Sequence, residues 1–185
     1  MEKLKDMRVA ILAMDGFEES ELTEPLRALR EAGANVEVVS KSRGEIQGFR
    51  HFEKGTTVRV DRTFDEAKAE EYDALMLPGG ALNADTLRME PKVREFIRAM
   101  NDAGKPIAAI CHAPWALISA GVMRGRKLAA YFTIQDDIRN AGGNWLDQEC
   151  VVDDNWVTSR QPSDLPAFNR EVVALVGRVP AGSPR

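Results

Sequence analysis

The chain has 185 residues, 44% hydrophobic and 29% charged, with a net charge of -4. That is enough chain for one domain with a real core, and it is too apolar for a disordered state. The balance is not basic enough to make nucleic acid or an anionic membrane a default partner. Two cysteines cannot make a disulfide scaffold. No apolar run approaches the roughly 20 residues of a membrane span, and the charged segment from Met1 to Met7 is not followed by a signal-type apolar core. The expectation is a single domain over 1-185 in a reducing cytoplasm, with loose ends at 1-6 and 178-185.

Short apolar runs alternate with helical patterns. Val9 to Met14, closed by Asp15-Gly16, suits a strand buried on both faces. Leu22, Leu26 and Leu29 mark a helix over about 21-31, in which Pro25 fits only near the first turn. Asn35 to Ser40 reads as the second strand. Gly44, Gly48 and Gly55 suggest turns, with a half-exposed strand at Thr57 to Val60. Ala74 to Leu77 is a buried strand cut off by Pro78-Gly79-Gly80. Val93, Phe96, Ile97 and Met100 define a helical face that starts at Pro91 and ends at Gly104. Pro106 to Ile110 is another strand, followed by helical pattern over 114-120. A helix over 134-141, strands at Val151-Val152 and Trp156 to Ser159, and a last helix over 166-176 capped by Ser163 or Asp164 complete the chain. This alternation predicts an α/β sandwich with a mostly parallel sheet. Ligands in such folds sit beyond the carboxyl ends of the strands, at Asp15 to Glu21, Pro78 to Asp85 and Cys111 to Pro114.

Cys111 stands between a strand and a helical pattern, with the small residues Ala109 and Ala113 two positions to either side. That is the pattern of a nucleophile elbow, and a following helix N-terminus favours thiolate. The alternative is a buried structural cysteine. The chain holds only two histidines, His51 and His112, so a papain-like order with histidine downstream is excluded. An imidazole assisting Cys111 is His112 or the upstream His51. The N–H groups of Gly79 and Gly80, with that of His112, could form an oxyanion hole. One of Glu18, Glu19 and Glu21 could reach inward to the thiol; for Glu19 and Glu21 the dipole-complementing role is the simpler reading. No zinc spacing and no Gly-x-Gly-x-x-Gly are present, so neither a metal nor a dinucleotide cofactor is expected. Trp115, Trp145 and Trp156 are read as packing residues, and Cys150 as a core or edge residue.

The sequence resembles the ThiJ/PfpI superfamily, on its PfpI side, close to bacterial general stress proteins described as intracellular proteases. The resemblance rests on Asp15-Gly-Phe-Glu-Glu-Ser-Glu-Leu22, Ala74-Leu-Met-Leu-Pro-Gly-Gly80, Gly104-Lys-Pro-Ile-Ala-Ala-Ile-Cys-His-Ala-Pro114, Ile118 to Lys127 and Thr158 to Leu165. It implies a flavodoxin-like three-layer α/β/α sandwich with Cys111 on the elbow and Glu18 hydrogen-bonded to its sulfur. It further implies a Cys111-His112 pair completed by Asp85 from a neighbouring subunit, Gly80 in the oxyanion hole, and Gly79 and Tyr131 against substrate. A homodimer or higher homo-oligomer would follow. The implied activities are glutathione-independent glyoxalase or deglycase chemistry on methylglyoxal and its adducts, or peptidase activity. The substrate would be a small aldehyde or a peptide, with no nucleic acid and no membrane as partner. A non-catalytic redox sensor or chaperone using an oxidisable Cys111 is the third reading.

Overall fold

The computed structural model describes residues 3-179. In chain order the elements are β1 (Arg8–Leu12), β2 (Phe17–Glu18), α1 (Glu19–Glu31), β3 (Asn35–Ser40), β4 (Gly44–Arg50), β5 (Glu53–Val60), β6 (Arg62–Thr63), β7 (Ala74–Leu77), α2 (Ala81–Leu87), α3 (Pro91–Asp102) and β8 (Ile107–Ile110). They continue with α4 (Pro114–Ser119), β9 (Lys127–Leu128), α5 (Gln135–Asn140), β10 (Asn144–Trp145), β11 (Val151–Asp153), β12 (Trp156–Ser159) and α6 (Leu165–Val176). Seven strands form the central sheet in the order β11-β12-β8-β7-β1-β3-β6. Every pair is parallel except β11 with β12, so the central strands are buried on both faces and read as continuous apolar runs.

The strand period of two divides the core. Ala10, Leu12, Leu75, Leu77, Ile107 and Ala109 face a layer built from α3, α4 and α5, filled by Val93, Phe96, Ile97, Met100, Leu117 and Ile138. Val9, Ile11, Ala74, Met76, Ala108 and Ile110 face the other layer, where α1 and α6 contribute Leu22, Leu29, Phe168 and Val172. The three-layer α/β/α sandwich expected from the alternation is the fold found.

Several local expectations are corrected. Pro25 lies in the middle of α1 rather than in its first turn. Having no N–H, it leaves the carbonyl of Glu21, four residues back, without its helical donor. Gly48 and Gly55 are not turns: they lie inside the antiparallel hairpin β4-β5, where a Cβ would strike the Phe17 ring and the Glu19 carboxylate respectively. Neither Ser163 nor Asp164 caps α6 with its side chain; the Asp164 carboxylate accepts from the Arg160 guanidinium instead. Leu4, in the segment expected to be loose, is fully buried, and its N–H donates to the Ala32 carbonyl. Residues 1-2 and 180-185 of the expected loose ends lie outside the described residues. Among the described residues no helix is long and apolar enough to cross a membrane.

Candidate active site

Three adjacent strands of the sheet, β8, β7 and β1, deliver their carboxyl-end loops to one place. Cys111 follows β8 with φ 64, a left-handed conformation that a non-glycine residue adopts only when its surroundings enforce it. They do: the Cys111 N–H donates to the Ser159 carbonyl at 3.0 Å, its own carbonyl accepts from the Tyr131 N–H at 2.9 Å, and Ala113 is fully buried beside it. The turn aims Sγ at a cavity of about 550 Å³.

The His112 ring contacts the thiol directly, with Nδ1 3.1 Å from Sγ. It is held between Trp115, edge-on at 5.2 Å, and Tyr131, stacked at 4.9 Å between ring centroids. Burial lowers its pKa, so the neutral ring is favoured. Nε2 lies 3.4 Å from Thr133 Oγ1. Asp85, the expected third member, is exposed on α2 and makes no contact with His112 among the described residues of this chain. Any meeting of the two would need a second copy.

The Pro78-Gly79-Gly80 loop lies across from the elbow. The N–H groups of Gly80 and His112 both sit where they favour a negative charge on the sulfur, which is the office of an oxyanion hole. Gly80 has φ 87, and a Cβ there would stand 2.3 Å from the Gly16 carbonyl oxygen, so no side chain fits. Gly79 is absent from the cavity wall and lies behind Cys111, against a buried carboxyl.

That carboxyl belongs to Glu21. The three glutamates after β1 diverge. Glu19 turns outward and takes Arg50 Nε at 3.0 Å. Glu18 lines the cavity, and its Oε2 accepts the His51 N–H at 3.1 Å. Glu21 is fully buried beneath the thiol. The only polar groups near its carboxyl are Cys111 and the Gly79 N–H, and neither closes into a full hydrogen bond with it. Burial, and then the charge of Glu18, push its pKa up to about 8. The carboxyl is therefore protonated at neutral pH and placed to donate to the sulfur. In this geometry Glu21, not Glu18, is the glutamate at the thiol.

The thiol itself is raised by burial and then by the Glu21 charge, against the pull of the Gly80 and His112 N–H groups. The expected depression by a helix dipole does not govern here. α4 begins only at Pro114 and is six residues long, too short to outweigh desolvation. A thiolate in this pocket depends on the proton staying on Glu21.

Further residues hold these parts in place. Asn83 is fully buried; its Oδ1 accepts the Met14 N–H at 2.8 Å, and its Nδ2 donates to the carbonyls of Pro78 and Gly79 at 3.0 Å each, joining the loops after β1 and β7. The hairpin tip supplies Phe49, His51 and Phe52 to the cavity wall. Trp115, Trp145 and Trp156 are not on that wall, in keeping with packing roles. Cys150 is unpaired and half-buried. No group of three or more His, Cys, Asp or Glu suited to a metal occurs among the described residues.

A thiol on an elbow at the carboxyl edge of a parallel sheet, with an imidazole beside it and an acid beneath, is the layout of a cysteine-dependent enzyme. The chain belongs to the DJ-1/PfpI family, whose pattern it matches over residues 7-175. It is 46% identical over 170 residues to the deglycase PfpI of Pyrococcus furiosus, covering 92% of this chain and 99% of that protein. It is 47% identical over 173 residues to protein/nucleic acid deglycase 2 of Escherichia coli, covering 92% and 98%. Among solved structures, a two-domain protein of Anabaena variabilis with DJ-1/ThiJ/PfpI-like and ferritin-like domains superposes with a TM-score of 0.88 at 34% identity, over 93% of this chain and 48% of that one.

Proposed function

We propose that the chain is a Cys111-dependent deglycase with glutathione-independent glyoxalase chemistry, acting on methylglyoxal and its amine adducts. The observation that carries the reading is the protonated carboxyl of Glu21 held against the Cys111 sulfur at the floor of a small cavity. The names of the two deglycases above support it. On a free aldehyde, sulfur adds to the carbonyl carbon and the thiol proton passes to the oxygen, giving a hemithioacetal. Glu21 or His112 then takes the proton from C1 and returns one at C2, which converts the hemithioacetal to a lactoyl thioester. Water cleaves the thioester to lactate and restores the thiol. On an aminocarbonyl adduct, sulfur displaces the amine at the hemiaminal carbon, and the amine leaves with the thiol proton. The Gly80 and His112 N–H groups stabilise the oxyanion in each addition. Two unpaired cysteines suit a reducing cytoplasm.

A second reading, a cysteine peptidase, is favoured by the 3.1 Å contact of Cys111 with His112. It requires an acid at Nε2, where this chain offers Thr133, so Asp85 of a second copy would have to complete the triad in a homodimer or larger assembly. Oxidation of Cys111 as a redox signal remains compatible with either chemistry. The deciding experiment is lactate formation from methylglyoxal without glutathione, beside Cys111→Ala. Turnover lost in the variant supports the deglycase; equal rates in both proteins overturn it.

A further inference from the structure

The wall of the cavity carries charge of one sign. Glu18 faces it with its side chain 14% exposed. Its Oε2 accepts the His51 N–H, and its Oε1 has no hydrogen-bond partner among the described residues. No lysine or arginine lines the cavity. Arg50, the nearest in sequence, points outward into its contact with Glu19. The His51 ring is 79% exposed, and its Nδ1, at 3.9 Å from Glu18 Oε2, is beyond hydrogen-bond reach. Around Glu18 stand the aromatic side chains Phe49, Phe52 and Tyr131, and Phe52 is 97% exposed at the hairpin tip. Beneath them is the buried, unpartnered carboxyl of Glu21. A free carboxylate oxygen ringed by π faces favours a cation and repels an anion.

We propose that Glu18 is a specificity-determining residue that binds the cationic end of the substrate, an alkylammonium or guanidinium, through Oε1, with the aromatic wall packed along its stem. The proposal rests on the reading of this cavity as the substrate site. It deepens that reading: the substrates best fitted are carbonyl adducts carried by basic side chains, in which the positive group lies a few atoms from the carbon that Cys111 attacks. Glu18 touches the part of the substrate that does not react, and Glu21 serves the part that does.

Occupancy can be measured apart from turnover. Cys111 is alkylated with iodoacetamide and followed by mass spectrometry of its peptide, which separates it from Cys150. The rate is compared with and without n-butylguanidine, butanamide or n-butyrate, so that each variant is its own reference. n-Butylguanidine is expected to slow alkylation at concentrations where butyrate does not. In Glu18→Gln, which keeps an acceptor for the His51 N–H, the guanidine is expected to bind at least about tenfold more weakly, the factor a charge-assisted hydrogen bond contributes. Glu18→Asp, which keeps the charge, should restore part of the loss. Equal protection by the three ligands, no protection by the guanidine, or an undiminished effect in Glu18→Gln would overturn the proposal. The lactate assay is independent: a protein that makes lactate without cation preference loses only this inference, and one that is protected by the guanidine but makes no lactate loses only the proposed chemistry.

Discussion

A Cβ on Gly79 would stand 2.2 Å from Glu21 Oε2 and 2.6 Å from the Cβ of Cys111. The absent side chain of residue 79 is what lets the buried acid and the thiol share one space. Neither neighbour is free to retreat, since one is on an elbow and the other within a helix. Gly79→Ala is expected to cost about 1–3 kcal/mol of stability, as overpacking does, and to change the alkylation rate of Cys111. Urea denaturation together with alkylation kinetics checks both, and a native-like pair of values would show that the loop can shift.

Glu21 couples the site to pH. Its folded pKa of about 8 lies above the ordinary 4.5. Below pH 4.5 both folded and unfolded chains hold the proton, and nothing is lost. As pH rises toward 8 the unfolded chain releases it first, so stability falls by something on the order of 5 kcal/mol across that window. Glu21→Gln has no such titration. The difference in its unfolding free energy between pH 5 and pH 8 should be several kcal/mol smaller than that of the parent.

The same substitution removes the charge that helps to raise the thiol. Alkylation of Cys111 in Glu21→Gln is therefore expected to begin at lower pH than in the parent, while lactate formation falls because a proton carrier is gone. A pH-rate profile of alkylation reads the first effect and turnover the second. An onset moved to higher pH would mean that donation from the protonated acid outweighs the repulsion of its ionised form.

The left-handed backbone at Cys111 orders its own variants. Cys111→Ala and Cys111→Ser should each lose turnover and keep the fold. Cys111→Gly is expected to be at least as stable as Cys111→Ala, the reverse of the usual ranking, because glycine takes φ 64 without the Cβ clash. Thermal midpoints of the three proteins test this.

Asn83 spends both ends of its amide on backbone groups of two loops. Asn83→Ala leaves three such groups without it in a buried place. A loss of about 2–4 kcal/mol is expected, accompanied by faster alkylation of Cys111 as the Gly79-Gly80 wall loosens.

What could be read from the sequence divides by the range of the interaction. Cys111 and His112 are legible because strand, nucleophile and helix follow one another along the chain, and the central strands are legible because each buries both faces. Glu21 is hidden by a rotation. The spacing of Leu22, Leu26 and Leu29 points to one helical face, but the buried face of α1 is Glu21, Leu22, Pro25 and Leu29, with Leu26 only half-buried. A glutamate one turn before a proline, on the face that also carries Leu22 and Leu29, is the signal that could have singled it out. The hairpin wall of the cavity is harder still. Gly48 and Gly55 resemble turn residues, and only tertiary neighbours, Phe17 and Glu19, explain why they lack side chains.

The β4-β5 hairpin reaches the cavity from outside the central sheet and is pinned at its base by Glu19, through Arg50 Nε and the Thr56 N–H. Its tip carries Phe52 and His51, and none of its residues touches the Cys111 sulfur. Roof and floor of the site are thus separate pieces of chain. Lengthening, shortening or rewriting the two-residue tip would alter which molecules are admitted while leaving the thiol, the imidazole and the buried acid as they are. One chemical centre can serve many clients by changing only its door.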